Sequence, residues 1–493
     1  MKDARRYFDL VSIGVILLAT VLSLARFSYL PQYVDDYYHI CVARGFLKSG
    51  GWIGWSWWDY APFGRPQIYP PLYHLLLVFL NKLGFSFLTA VRISEAVIPG
   101  VFFFFLWRSL RIFNSSFFSL VCLLSLSGFF SFYSSLSANL PASLSLTFGF
   151  LSWYYLVRKK IISSSIFLLL SSYSHAGIFW IFVSSLVFLC FLKEYRKISL
   201  KVLVFAFSGF SFFLLHQLRY LKYLRLELLR ESYFIHLNIF IVSLGIISVF
   251  FFFKKNFRNL LFLGFLIGSG IVFIRYPYRL LSAQGIIGFT FFSSLLLENI
   301  FFSLRRKMPF FLFLFLFLFL FQSTLNWKGE KIELNLLDST YYNYFTTRAF
   351  RLLEFTSLFW PRFYRPIIEV IKNNSRECEI ISSNLKLTSQ IFSALSGRPT
   401  SNSILYEVKP EEEEVFRFAK VIVWMKTEKR DYLLEKKMGW QKVYENEIAY
   451  VFRNPSLRVC VVPLQAKINF KIIGGIVLFL SFLLVEENIK VSS

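Results

Sequence analysis

Long apolar runs recur along this chain, and they constrain its fold more than any other feature. Lipid cannot satisfy free backbone amides and the runs are too long for barrel strands, so each run is predicted to be a helix. Of the 493 residues, 56% are hydrophobic and 17% charged, which is more apolar surface than a water-soluble chain of this length can bury. We therefore predict a polytopic α-helical membrane protein with about 12–13 transmembrane helices. Examples of runs long enough to cross roughly 30 Å of hydrocarbon are Phe8–Tyr29, Tyr233–Phe253, Arg279–Glu298 and Pro309–Leu325.

The basic residues fall in short clusters between the apolar runs. In a soluble protein the formal net charge of +25 would suggest nucleic acid, but clusters beside apolar runs are typical of cytoplasmic membrane-protein loops. We therefore expect the membrane as a partner and no nucleic acid. Placing every cluster in the cytoplasm lets nearly every stretch between two clusters hold two short crossings. The clusters are Lys2/Arg5/Arg6, Arg108/Arg111, Arg158/Lys159/Lys160, Lys193–Lys201, Lys254/Lys255/Arg258 and Arg305/Arg306/Lys307.

This sidedness predicts which loops face outward and how the chain divides. Residues 1–325 form the transmembrane module, whose first external loop is 31–70. Residues 326–469 form an external domain, and residues 470–493 form the last transmembrane helix and a short cytoplasmic tail. The expected location is the cell membrane (plasma or inner), with the soluble domain outside. The remaining outward turns are Tyr133–Pro141, Ser171–Gly177, Gln217–Ser232 and Arg275–Arg279.

One stretch leaves the parity of crossings open. The scheme needs an odd number of crossings between the first outward loop and Arg108, yet Pro71–Leu83 and Arg92–Trp107 both have the composition of helices. We expect Pro71–Leu83 to be too short to cross the bilayer fully.

The external segment is predicted to be a small α/β domain. Its apolar runs Cys378–Ser382 and Ala419–Trp424 predict buried strands. Two further runs fit a hairpin around Glu445–Glu447. Cys378 and Cys460 both lie in this segment, but the sequence does not decide whether they pair. Predicted helices are Ser383–Leu395 and Arg430–Met438, and the predicted hairpin strands are Trp440–Tyr444 and Ile448–Arg453.

The first outward loop carries two adjacent carboxylates, Asp35 and Asp36, directly after the first helix. Acidic residues at this place have a plain structural interpretation, because they stabilise the start of a short helix. Tryptophans later in the loop suit a segment that lies in the membrane interface. These are Trp52, Trp55, Trp57 and Trp58.

The order of motifs around that loop resembles the glycosyltransferase C (GT-C) superfamily, in particular the branch of aminoarabinose transferases and protein O-mannosyltransferases. The resemblance rests on Asp35-Asp36-Tyr37-Tyr38, Ala43-Arg44-Gly45, Pro70-Pro71-Leu72-Tyr73 and the stretch from Gly84 to Arg92. The family often has Glu as the second acidic residue and an acidic residue near Asn139. This chain has Asp36 and Asn139 at those places.

The resemblance implies transfer of a sugar from a polyprenyl-phosphate donor to a glycan, lipid or protein acceptor outside the membrane. A carboxylate is needed to accept the proton of the attacking acceptor, and Asp35 is the candidate base. Asp36 is expected to orient the acceptor or to share a divalent cation with Asp35. Hard carboxylate oxygens suit Mg²⁺ or Mn²⁺.

Fixed cations are needed to stabilise negative charge on the departing lipid phosphate. The candidates are the hairpin residues Arg275, Tyr276 and Arg279, together with Arg44 and Arg219. The alternative for the hairpin is an interfacial anchor, and the alternative for Arg219 is that its segment, Gln217–Arg225, lies on the lipid headgroups. His39, His175 and Asn139 complete the polar candidates on the outward side.

A membrane transporter or lipid flippase for envelope glycan precursors is the alternative function. Transporters place ionisable residues at mid-membrane and have internal repeats, whereas the charged candidates here lie at one interface. A non-catalytic membrane scaffold is a third class that the polar residues alone do not exclude.

Overall fold

The computed structural model describes residues 2–31, 33–225, 235–303, 332–335, 353–404, 408–413, 415–426 and 439–489. Within these ranges, five helices are long and apolar enough to cross a membrane: Arg5–Ser28, Phe87–Arg111, Leu140–Val157, Lys193–Arg219 and Pro277–Ser303. The predicted crossing Pro309–Leu325 and the predicted helix Arg430–Met438 lie outside the described residues.

The helical bundle is built from the following elements. They are α1 (Lys2–Ala25), α2 (Val34–Ser49), α3 (Leu72–Lys82), α4 (Phe87–Arg111), α5 (Ser116–Gly128), α6 (Phe130–Ala138), α7 (Leu140–Val157), α8 (Ile161–Ser174), α9 (Ala176–Leu189), α10 (Lys193–Arg219), α11 (Ile239–Phe252), α12 (Phe257–Val272), α13 (Pro277–Leu281), α14 (Ile286–Ser303) and, at the end of the chain, α17 (Phe470–Ile489).

Polar residues set where several of these apolar helices begin. Ser86 and Ser115 cap α4 and α5, and Asn238 and Asn256 cap α11 and α12, each through a side-chain oxygen that accepts a backbone N–H of the first turn. Such caps satisfy amides that have no partner inside the helix. The apolar runs are therefore divided into separate helices by single polar residues.

Aromatic side chains fill the middle of the bundle. Phe150 and Trp153 of α7 are fully buried, with ring centroids 5.3 Å apart. Both also lie 5.3 Å from Phe182 of α9. Close packing of large rings between helices accounts for much of the phenylalanine content without assigning it a function.

Predicted cytoplasmic basic clusters that fall within the described residues lie together at one end of the bundle; the cluster Arg305/Arg306/Lys307 lies outside those residues. Arg111, at the end of α4, makes two contacts with Asp9 near the start of α1, at 2.6 and 2.9 Å. Arg258, at the start of α12, donates to Glu298 of α14 at 3.2 Å. At the opposite end of α1 and α4, Arg26 lies 3.5 Å from Glu95. Helices α1 and α4 therefore run antiparallel, each with its basic terminus at the predicted cytoplasmic end.

This pairing bears on the parity of crossings between α1 and α4. Helix α3 has 11 residues, about 16 Å at 1.5 Å per residue, which is about half of the hydrocarbon thickness. The Nζ of Lys82, in its last turn, lies 3.9 Å from the ring of Phe470, the first residue of α17. Since α1 ends and α4 begins at the same end of the bundle, α3 stays at that end. This length and position support the expectation that Pro71–Leu83 does not cross the bilayer fully, which stays a prediction.

The soluble part contains one four-stranded sheet, within the segment predicted to be the external domain. Its strands pair in the order β6 (Ile381–Ser383), β7 (Val421–Met425), β9 (Ala449–Arg453) and β8 (Gln441–Glu445). Strands β6 and β7 are parallel, and the other neighbours are antiparallel. Strands β8 and β9 form the predicted hairpin, and Gly397 ends the predicted helix in a left-handed conformation. The sheet strands and helices are β6 (Ile381–Ser383), α15 (Arg365–Asn374), α16 (Lys386–Ser396), β7 (Val421–Met425), β8 (Gln441–Glu445) and β9 (Ala449–Arg453).

Short strands complete the structure, and one pair ties the last helix to the first loop. Gly51 and Trp52 pair antiparallel with Asn469 and Ile468, which fixes the start of α17 against that loop. Cys378 and Cys460 form a disulfide, which settles the pairing that the sequence left open. The short strands are β1 (Gly51–Trp52), β2 (Trp55–Ser56), β3 (Arg65–Pro66), β4 (Ile235–Asn238), β5 (Ile332–Asn335) and β10 (Ile468–Asn469).

Candidate active site

A cavity of about 540 Å³ lies at the end of the bundle opposite the basic clusters. Its walls come from the first turns of α2, the stretch 68–70, the starts of α7 and α9, the turn between α12 and α14, and residues of the soluble part. Several outward loops predicted from the charge pattern therefore meet in one place. The predicted site residues that line it are Asp35, His39, Asn139, His175, Tyr276 and Arg279.

Arg279 is the cation of the cavity that lies within electrostatic reach of Asp35. Its Nε donates to the hydroxyl of Tyr278 at 2.9 Å, and its NH1 lies 3.5 Å from Nε2 of His175. The rings of Tyr276 and Tyr278 lie 5.7 and 5.8 Å from the guanidinium carbon. The hydroxyl of Tyr278 and the rings of both tyrosines hold the guanidinium at the cavity wall.

Two histidines meet beside the cavity. Nδ1 of His39 lies 2.9 Å from Nε2 of His74, and the ring of Tyr69 lies 5.5 Å from His39 and 6.3 Å from His175. Burial lowers the pKa of His39 to about 3, so its imidazole is neutral at physiological pH. His39 is therefore suited to hydrogen bonding with a substrate and poorly suited to carrying charge.

Asn139 and His175 share a structural task that the sequence analysis did not foresee. Oδ1 of Asn139 accepts from the N–H of Ala142 at 3.3 Å, at the start of α7. Nδ1 of His175 accepts from the N–H of Ile178 at 3.3 Å, at the start of α9. Both side chains are thus N-caps that also face the cavity.

Asp36 lies apart from the cavity. The two carboxylates occupy the first turn of α2, where successive side chains point about 100° apart. Asp36 is fully buried and neighbours Glu95 of α4, which lies 3.5 Å from Arg26. Burial, followed by the charges of Glu95 and Asp35, raises the pKa of Asp36 well above its usual range. Asp36 therefore belongs to a buried cluster and Asp35 to the cavity.

This divergence bears on the suggested divalent cation. A cation shared by Asp35 and Asp36 needs both carboxylates on one side of α2, which the helix geometry does not provide. Across the ranges that the structure describes, no three His, Cys, Asp or Glu side chains are grouped as metal ligands. The residues do not fit a shared Mg²⁺ or Mn²⁺ site, and that suggestion stays a prediction without structural support.

Three predicted phosphate contacts do not line the cavity. Arg44 donates to the carbonyl oxygens of Ser393 and Ala394 at 3.2 and 2.7 Å, so it caps the C-terminal end of α16. Arg219 is exposed at the end of α10, 5.8 Å from the ring of Tyr220. Arg275 is exposed beside the cavity residue Tyr276.

The Ala-Arg-Gly motif has a packing explanation as well. A Cβ at Gly45 would lie 2.1 Å from the ring of Trp58, so only glycine lets the loop tryptophan pack on α2. Together with the contacts of Arg44, this gives the motif a role in joining α2 to the loop and the domain.

Sequence reasoning missed several residues that shape the site. Tyr69 and Tyr278 line the cavity, but nothing in the sequence distinguished them from other interfacial tyrosines. Asp59 and Arg65 form a buried ion pair at 2.9 Å, and NH2 of Arg65 also donates to Ser403 at 2.6 Å. Glu95 was detectable, because an ionisable residue within an apolar spanning helix marks a special site.

The comparisons with known proteins agree with this architecture. No family model and no curated protein matches the chain in sequence. The crystal structure of the oligosaccharyltransferase from Archaeoglobus fulgidus in the apo form matches with a TM-score of 0.52 and 10% identity, over 84% of this chain and 69% of that one. ArnT from Cupriavidus metallidurans in the apo state matches with a TM-score of 0.51 and 13% identity, over 91% and 98%.

Both matching structures are members of the GT-C superfamily. At these identities the likeness is one of fold: the chain shares its fold with these two structures. The resemblance drawn from the first loop is therefore confirmed at the level of fold. The predicted fold class, a helical membrane protein with a small α/β domain, is confirmed with it.

Proposed function

We propose that this protein is an integral membrane glycosyltransferase that moves a sugar from a polyprenyl-phosphate donor to an acceptor on the outer face of the membrane. The observation that carries the proposal is the single cavity shared by Asp35, the candidate base, and Arg279, the candidate phosphate contact. The GT-C fold supports it, since the oligosaccharyltransferase of Archaeoglobus fulgidus has the same fold.

The proposed reaction needs one base and one cationic clamp. The acceptor oxygen or nitrogen attacks the anomeric carbon while its proton passes to the carboxylate of Asp35. The bond from the anomeric carbon to the phosphate oxygen breaks, and polyprenyl phosphate leaves with the electron pair. Arg279 stabilises the charge on that phosphate, with Tyr276 beside it, and Arg275 contributes from outside the cavity.

An apolar surface beside the cavity suits the polyprenyl chain. Val272 and Phe273, at the end of α12, line the cavity. The neighbouring Ile271 and Ile274 are 68% and 75% exposed. In a membrane these isoleucines face lipid, so a donor phosphate in the cavity has an apolar path for its chain.

Two observations support the outward orientation of the cavity. The described basic residues Arg111, Arg258 and Lys160 lie at the opposite end of the bundle, which the positive-inside trend places in the cytoplasm. The disulfide between Cys378 and Cys460 is of a kind that persists in oxidising compartments outside the cytoplasm.

The position of the polar groups favours transfer over transport. A transporter binds its cargo near the bilayer midplane, between repeats that rock against each other. Here the cavity lies at one end of the bundle, and Leu387, Ile404 and Val408 of the soluble part contribute to its wall. A site closed in this way fits chemistry at the membrane surface.

Deletion of the gene tests the proposal. Mass spectrometry of envelope glycans and lipid-linked sugars should show one acceptor lacking a sugar and accumulation of the matching polyprenyl-phosphate sugar. A plasmid copy of the parent should restore both, and an Asp35→Asn copy at equal protein level should restore neither. Unchanged glycans and unchanged lipid-linked sugars after deletion would contradict the proposal.

A further inference from the structure

Each ring nitrogen of His175 lies close to a hydrogen-bond donor of another residue. Its Nδ1 is 3.3 Å from the backbone N of Ile178, and its Nε2 is 3.5 Å from NH1 of Arg279. A neutral imidazole has one N–H and one bare nitrogen, so it can accept only one of these two bonds. The two contacts are mutually exclusive as hydrogen bonds to a single neutral tautomer.

Of these two contacts, the one between Nδ1 and the N–H of Ile178 is the hydrogen bond. The N–H of Ile178 belongs to the first turn of α9 and has no partner inside that helix. Acceptance by Nδ1 satisfies it, and the imidazole proton then sits on Nε2. Burial, and then the charge of Arg279, lower the pKa of His175 to about 3, so the ring stays neutral.

Nε2–H of His175 and NH1 of Arg279 are then two neighbouring N–H donors at the wall of the cavity. Two donors 3.5 Å apart cannot bond to each other, but both can bond to an oxygen that lies between them. An anionic oxygen suits this position, because it can accept a hydrogen bond from both donors and is attracted by the charge of the guanidinium.

We propose that His175 is a neutral hydrogen-bond donor to the phosphate of the lipid-linked donor, paired with Arg279 and oriented by its own capping bond to α9. This inference rests on the proposed function and deepens it by assigning a second phosphate contact. His175 binds the phosphate directly, whereas the role of base remains with Asp35.

The chain offers a variant that separates capping from donation. In His175→Asn, the short amide can still cap α9, since asparagine is among the best N-cap residues, but it no longer reaches the position of Nε2. His175→Ala removes both functions. Thermal unfolding in detergent should therefore show His175→Asn close to the parent and His175→Ala less stable.

The binding test uses undecaprenyl phosphate and undecaprenol, which differ only in the phosphate. In nanodiscs, His175→Asn should bind undecaprenyl phosphate about tenfold more weakly than the parent and undecaprenol equally well. Arg279→Ala is measured in parallel. Equal binding of undecaprenyl phosphate by parent and His175→Asn, or an equal loss for both lipids, would overturn the role of His175.

The Arg279→Ala arm keeps the two proposals distinguishable. If Arg279→Ala discriminates against the phosphate and His175→Asn does not, the phosphate site stands and only the role of His175 fails. If neither variant discriminates, the phosphate lies elsewhere, and the placement of the donor in this cavity is wrong.

Discussion

Asp35 and Asp36 are neighbours in the sequence, but helix α2 gives them opposite environments. Asp35 is exposed and lines the cavity. Asp36 is fully buried beside Glu95, with Arg26 as the compensating cation. Burying two carboxylates against one arginine is costly unless one of them keeps its proton. Burial and the charge of Glu95 raise the pKa of Asp36, so we propose that Asp36 is the carboxyl that keeps its proton.

This assignment predicts unequal effects of two substitutions. Asp36→Asn should change the free energy of unfolding little, because an amide resembles the protonated carboxyl. Arg26→Ala should cost about 3–5 kcal/mol, since it leaves Glu95 buried without its cation. Thermal unfolding in detergent compares the two variants. A loss of stability for Asp36→Asn as large as that for Arg26→Ala would contradict the assignment.

The pH dependence of stability provides a second check on Asp36. Because its folded-state pKa is raised, the contribution of the proton to stability is complete below the unfolded pKa. It is lost as the pH rises through the folded pKa. The parent should therefore lose stability as the pH rises between the unfolded and the folded pKa of Asp36, and Asp36→Asn should lose less over the same range. Parallel pH profiles for the two proteins would show that Asp36 does not titrate as described.

Among the arginines, position rather than charge predicts donor binding. Arg279→Ala should weaken binding of undecaprenyl phosphate by about ten- to a hundredfold, or roughly 1.5–3 kcal/mol. Arg279→Lys should recover part of that loss, because lysine supplies charge without the planar fork. Arg44→Ala is the matched control, since the guanidinium of Arg44 donates hydrogen bonds to carbonyl oxygens of α16. It should leave donor binding intact and make the soluble part more sensitive to protease.

The opposite result for these two variants would place the phosphate site at Arg44. If Arg44→Ala abolished binding while Arg279→Ala bound as the parent does, the cavity around Arg279 would not be the donor site. The hairpin of Arg275 and Arg279 would then be only an interfacial anchor.

At the scale of elements, contacts at the helix ends define the path of the chain. Arg26 and Glu95 join one end of α1 and α4, and Asp9 and Arg111 join the other. At the predicted cytoplasmic end, Lys160 before α8 donates to Asn488 near the end of α17. Helix α17 thus runs from the first loop to the end that carries the basic clusters.

Cysteine labelling tests this path. In a Cys190→Ser background, a membrane-impermeant maleimide added to intact cells should label Lys82→Cys and Lys409→Cys but not Lys193→Cys. The reason is that α3 stays at the end of the bundle that carries the soluble part. Permeabilised cells, in which all three variants should react, provide the control. Labelling of Lys193→Cys with protection of Lys82→Cys would invert the orientation.

The sequence predicted elements better than contacts. Apolar periodicity and turn residues located the hairpin of β8 and β9 and the end of α16 at Gly397, because these depend on local chemistry. The charge pattern predicted which loops share an end, and four of these loops contribute residues to the cavity. The burial of Asp36 beside Glu95 and the bonds of Arg44 to α16 bring together residues far apart in the chain, and no local signal specifies such contacts.

At the scale of the whole molecule, backbone hydrogen bonds join the first loop to the soluble part. The N–H of Ala61 donates to the carbonyl of Thr400 at 3.0 Å, and the N–H of Thr400 donates to the carbonyl of Trp58 at 2.8 Å. Arg65, which forms an ion pair with Asp59 in the loop, also donates a hydrogen bond to Ser403 of the soluble part. The soluble part is therefore fixed against the loop that carries Asp35.

The most direct test of the central claim is the rate of sugar transfer by Asp35→Asn. Purified parent and variant are reconstituted in nanodiscs with lipid-linked sugar and membrane extract from deletion cells, and release of undecaprenyl phosphate is followed. Loss of the base should slow release by about 10²- to 10⁴-fold, while both proteins bind undecaprenyl phosphate equally and unfold at the same temperature. A folded Asp35→Asn protein that transfers sugar at the parent rate would contradict the claim that this cavity is the active site with Asp35 as its base.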